Sequence, residues 1–106
     1  MKVKLNGIDR AVIPTILELF SGDMLQITIA KELISVIEIK PDEYGQYDIY
    51  PEGNMLKWNT EKILNDKEFD LSTAYIQILK AAVDDLDQRK RINLQIHDTC
   101  TKIKDF

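Results

Sequence analysis

All four glycines (Gly7, Gly22, Gly45, Gly53) and all three prolines (Pro14, Pro41, Pro51) fall within residues 1–53, and residues 54–106 contain neither. These residues punctuate turns, because glycine accepts positive φ and proline fixes φ while lacking an N–H donor. The first half is therefore expected to reverse direction often, whereas the second can support long helices. Charge divides along the same line. Residues 1–53 carry five basic and nine acidic groups, a net −4, and residues 54–106 carry nine of each. The expectation is a single α+β domain over residues 1–106, with a β-rich part (1–53) and a helical part (54–106). It would hold an antiparallel sheet of about four or five strands, covered on one face by helices.

Local patterns fill in that outline. Met1 to Leu5 alternates, and Asn6-Gly7 suits a type I′ turn, which would pair Leu5 with Ile8 and Lys4 with Asp9 in a hairpin. Pro14 is expected to push Ile13 out of the helical region, leaving Thr15–Phe20 as either a strand or a short helix. Leu25-Gln26-Ile27-Thr28-Ile29 alternates as a half-buried strand does, and Ile34–Ile39 is β-branched enough for a central strand. Pro41–Gly45 reads as a turn, Gln46–Tyr50 as another strand, and Pro51-Glu52-Gly53-Asn54 as its stop. Short connections favour an antiparallel meander.

In the second half, Asn59 or Thr60 can cap a short helix over Glu61–Leu64, and Asp70 or Ser72 a longer one. From Tyr75 a ladder of spacings of four and three runs through Leu79, Ala82, Leu86, Arg89, Asn93, Ile96, Cys100 and Ile103, one stripe of a continuous helix. Asp85–Arg89 and Asp87–Arg91 are spaced as i,i+4 ion pairs. Ile92–His97 also alternates, so it reads either as a continuation of the helix or as a last strand. There is no internal repeat.

Several function classes fall away. With a single Cys there is no disulfide framework, no unbroken apolar run is long enough for a membrane span, and Lys2, Lys4 and Asn6 interrupt any signal sequence. A reduced, cytoplasmic protein without membrane association is expected. Phosphate-binding loops need clustered glycines, and these are dispersed. His97 and Cys100 form an H-x-x-C pair, but two ligands do not close a zinc site and no third residue orients a nucleophile. Cys100 on the apolar stripe reads as a core residue, and His97 as a surface one. Adjacent carboxylates such as Asp84-Asp85 read as solvated surface. No catalytic residue, metal or cofactor is expected.

The segment from Pro41 to Glu52 is the most informative surface candidate. It holds Asp42, Glu43, Tyr44, Tyr47, Asp48, Tyr50 and Glu52, and so combines three of the four tyrosines with four carboxylates. Tyrosine supplies contact area at small entropic cost, and carboxylates around it would steer a basic partner. In size, acidity and lack of catalytic motifs the chain resembles the small acidic inhibitors encoded by phages and plasmids, anti-CRISPR proteins among them. That general profile implies a non-enzymatic protein-binding module. Its acidic, aromatic surface would dock onto a basic groove of a larger protein, such as a nucleic-acid-handling enzyme that it inhibits. The alternative is a small regulatory nucleic-acid binder using Trp58 with Arg89-Lys90-Arg91, against which the net charge of −4 and the lack of interleaved aromatics weigh. A homodimer through the C-terminal apolar stripe is a third reading, with Asn93 setting its register.

Overall fold

A computed structural model describes residues 1–106. The chain is α+β, but helices and strands are distributed differently from the expectation. Strand β1 (Lys2–Leu5) leads into α1 (Gly7–Glu18) and α2 (Met24–Ile37). A 3-10 turn over Pro41–Gln46 precedes the hairpin strands β2 (Tyr50–Glu52) and β3 (Met55–Lys57). A second 3-10 turn (Lys62–Leu64) leads to β4 (Lys67–Asp70), followed by α3 (Thr73–Gln88) and α4 (His97–Lys104). The strands form two separate two-stranded antiparallel sheets, β1–β4 and β2–β3, instead of one sheet of four or five. Residues 1–53 are thus largely helical, and residues 54–106 supply two of the four strands.

The reversal originates at Asn6. Instead of opening a hairpin, its side chain accepts the Asp9 N–H at 2.9 Å, and Asp9 accepts the Asn6 N–H at 3.0 Å. This reciprocal cap starts α1. Lys4 consequently faces Glu68 on β4, not Asp9. Gly7 fits there because a Cβ would lie 2.9 Å from the backbone oxygen of Ile63, so α1 begins tight against the second 3-10 turn. Pro14 lies inside α1 and forfeits one backbone bond, while Ile13, Ile16 and Leu17 are buried around it. Core burial therefore outweighs the local preference of the proline.

The same logic overturns the two strands expected at Leu25–Ile29 and Ile34–Ile39. Asp23 and Gln26 form a second reciprocal cap, and Ala30, Leu33 and Ile37 recur at helical spacing on the buried face of α2. Five alternating residues fit either period, and the cap decides between them. Gln46–Tyr50 likewise is not a strand along its length. It is the end of a 3-10 turn, a reversal at Asp48 (φ 51°), and only then β2 at Tyr50. Gly53, at φ 63°, turns β2 into β3.

The helical half is partly as expected. Ser72 caps α3 by accepting the Tyr75 N–H, Asn59 Oδ1 accepts the Glu61 and Lys62 N–H groups at the entry to the Lys62–Leu64 turn, and Arg89 pairs with Asp85 at 3.3 Å. Asp87 instead pairs with Lys104 on α4. The long helix does not exist as one piece, because α3 ends at Gln88. There Lys90 takes the left-handed conformation (φ 56°), and Arg91 N–H bonds Leu86 C=O at 2.9 Å. That is the closing pattern in which glycine normally sits. Residues 92–96 are neither helix nor strand; they form an irregular link to α4. Asn93 lies in that link, where its side chain accepts the Gln95 and Ile96 N–H groups, so it sets no helical register.

One core holds these parts together. It is built from Val3, Leu5 and Phe69 on the β1–β4 ladder, the inner faces of α1, α2 and α3, and Cys100 and Ile103 of α4. Helix α1 is its hub, touching α2, α3, α4, β1 and the second 3-10 turn. The stripe residues Leu79, Ala82, Leu86, Cys100 and Ile103 are all buried there, so the stripe expected to join two copies is already covered within one chain. No helix is long and apolar enough to cross a membrane.

Candidate functional site

The tyrosine-and-acid segment divides into an inner and an outer part. Arg10 projects from α1 into the interior and is 1 % exposed. Its Nη2 donates to Glu43 Oε1 at 2.7 Å and its Nη1 to Glu43 Oε2 at 2.8 Å. Further bonds run from Nε to Ile37 C=O, from Nη2 to Glu38 C=O and from Nη1 to the Tyr47 hydroxyl. All five guanidinium donors are thereby used. The group also stacks over Phe69, with Cζ 5.3 Å from the ring centre. Glu43 additionally accepts Lys67 Nζ at 3.0 Å and the Lys40 N–H at 3.2 Å.

The charges answer one another. Bonding to Arg10 lowers the Glu43 pKa to about 2 against the opposing effect of burial, with Lys67 and the Lys40 N–H adding to the depression. Desolvation works to lower the Arg10 pKa, but its bonds to Glu43 and Tyr47 outweigh that and raise it. This network ties α1, the C-terminus of α2, the first 3-10 turn and β4 into one unit, and it leaves nothing over for a ligand. Glu43 and Tyr47, expected at a docking surface, are therefore interior residues; Tyr47 is 2 % exposed. The physical reason is Arg10, whose buried charge requires a carboxylate partner. Asp48 is exposed but paired with Lys62 at 3.0 Å. Asp42 and Glu52 stay exposed and make no ion pair.

Beside this network a cleft of about 580 Å³ opens between the outer face of α1 and the β2–β3 hairpin. Ile8, Ala11 and Val12 form the α1 wall, Tyr44, Ile49, Leu56 and Trp58 face it, and Ile63 and Gln95 border it. Trp58 is 47 % exposed and Leu56 is exposed as well. A cleft of this size, mostly apolar with a few polar groups at its border, has the general character of a binding site. The cleft brings together Tyr44, from the tyrosine segment, and Trp58, expected beside the basic cluster. Tyr50 is exposed on β2 of the same hairpin. Arg89, Lys90 and Arg91 are not among its walls; they form the exposed end of α3.

The α1 wall of the cleft was not foreseen from the sequence. Its signal is the spacing Ile8, Ala11, Val12, an i, i+3, i+4 stripe that becomes visible only once residues 7–18 are read as helix. Elsewhere, Cys100 is buried and burial pushes its thiol up, which disfavours the thiolate. His97 is exposed, with Nδ1 3.3 Å from Asp98. Asp9, besides capping α1, accepts Thr99 Oγ1 at 2.8 Å and pairs with Lys102, fastening α4 to α1.

No family model matches the chain, no curated protein matches its sequence and no solved structure matches its fold.

Proposed function

We propose that the chain is a non-enzymatic protein-binding module, inhibitory in role, whose contact surface centres on the cleft between α1 and the β2–β3 hairpin. The observation that carries this reading is the cleft itself, with its apolar walls and the aromatic side chains of Tyr44 and Trp58 in reach of solvent. Interfaces draw most of their binding energy from a few buried aromatic and aliphatic anchors, and such a cleft receives them. Asp42 of the first 3-10 turn and Glu52 of β2, exposed and free of ion pairs, add acidic charge on the elements that carry Tyr44 and the hairpin, and a larger protein with basic surface beside an apolar projection suits them. A nucleic-acid-handling enzyme fits that description, in keeping with the general profile of the chain. Glu43, Tyr47 and Asp48 drop out of the proposed contact surface because the fold already uses them.

The test is affinity capture from nuclease-treated native lysate with the wild-type chain and with Leu56→Asp, an exposed position. A protein retained by the wild type and lost with Leu56→Asp supports the reading. Equal retention by both overturns it. So does a salt-dependent mobility shift with DNA or RNA that disappears when Arg89, Lys90 and Arg91 become Gln, since that result belongs to a nucleic-acid binder.

A further inference from the structure

The link between α3 and α4 presents Leu94 at 96 % exposure, the most exposed large apolar side chain of the molecule. The link is not loose around it, because Asn93 Oδ1 accepts the N–H groups of Gln95 at 3.0 Å and Ile96 at 3.2 Å. A stiffened loop holding an apolar side chain away from its own core is preorganised to insert it elsewhere. Gln95, the next residue, borders the apolar cleft, so the link that carries the projection also reaches the edge of the recess. The charges are also complementary. Lys90 and Arg91, just ahead of Leu94, make no ion pair, and neither do Asp42 of the first 3-10 turn and Glu52 of β2, whose neighbour Pro51 pairs with the cleft residue Leu56.

We propose that a second copy of this chain occupies the cleft, each copy inserting Leu94 between α1 and the hairpin of the other while its Arg91 meets the other's Glu52. A two-fold axis between neighbouring projection and recess makes both insertions at once, so the assembly closes as a dimer. The two surface segments that the sequence offers as rival binding sites, acidic and basic, then become the two sides of one self-complementary contact. The inference concerns the cleft of the proposed partner reading but does not depend on it. A larger partner at the same cleft would displace the second copy.

Trp58 is the only tryptophan and lies in the cleft wall, so its emission reports occupancy directly. Sedimentation and Trp58 fluorescence are followed over two orders of magnitude in concentration for wild type, Leu94→Asp, Arg91→Glu and Glu52→Lys. All three altered positions are exposed, and circular dichroism verifies that the variants fold. The expected result is a reversible dimer with emission shifting to the blue as it forms, and Leu94→Asp weakening association at least about tenfold. Arg91→Glu and Glu52→Lys each associate poorly alone, yet an equal mixture restores the dimer, because each contact then pairs opposite charges. A monomer at every concentration overturns the proposal, as does a dimer indifferent to Leu94→Asp or a mixture no better than its components. A monomer that still captures a protein through Leu56 overturns the dimer alone, whereas a dimer that captures none overturns the partner reading alone.

Discussion

Lys90 sits where most chains place glycine. Its φ of 56° costs an L-residue roughly 1–2 kcal/mol, partly offset by the greater unfolded freedom of a glycine. Lys90→Gly is therefore expected to stabilise the fold by about 0.5–1 kcal/mol, read as a higher midpoint in urea with an unchanged slope. Lys90 also explains why the break between α3 and α4 was hidden from sequence reasoning. Glycine and proline are the usual punctuation of a chain, yet this one turns at Lys90 and Asp48 with neither, while Pro14 stands inside a helix. The local hydrogen bonds of Ser72 and Asn59 were legible, whereas those of Asn6 and Asp23 were masked by the alternating residues beside them. Residues whose conformation is imposed by the packing around them were not legible.

At the scale of elements, the caps carried information that alternation obscured. Asn6 with Asp9 and Asp23 with Gln26 are each a polar pair three residues apart, and each starts a helix where a turn or strand was expected. Both α1 and α2 are therefore readable in retrospect, whereas the buried Arg10–Glu43 pair that joins α1 to the first 3-10 turn links positions with no shared local pattern. The pair has a measurable consequence. Because the folded-state pKa of Glu43 lies below its unfolded value, its contribution is complete above about pH 4.5 and is lost as pH falls toward 2. The depression corresponds to about 3 kcal/mol at neutral pH. Glu43→Gln should lose stability of that order at pH 7 and flatten the acid limb of the stability profile between pH 4.5 and 2, as measured by urea unfolding across that range.

For the molecule as a whole, stability is unevenly distributed, and the cleft lies at the weak end. No residue of β2 or β3 is buried, whereas α3 buries six side chains in the core. Backbone amides of the hairpin should exchange with solvent much faster than those of α3, and a ligand in the cleft should slow the hairpin selectively; native-state hydrogen exchange resolves both. Equal protection of hairpin and α3 would contradict this ordering. The β1–β4 ladder imposes a different constraint, one of timing. Its paired residues lie more than sixty positions apart, and Leu5 has no strand beside it until Lys67 arrives. On the ribosome, β1 therefore waits unpaired until Lys67 to Asp70 has emerged, and the faces of α1 and α2 that meet α3 stay uncovered still longer, so the nascent chain shows solvent an apolar surface that the finished fold hides.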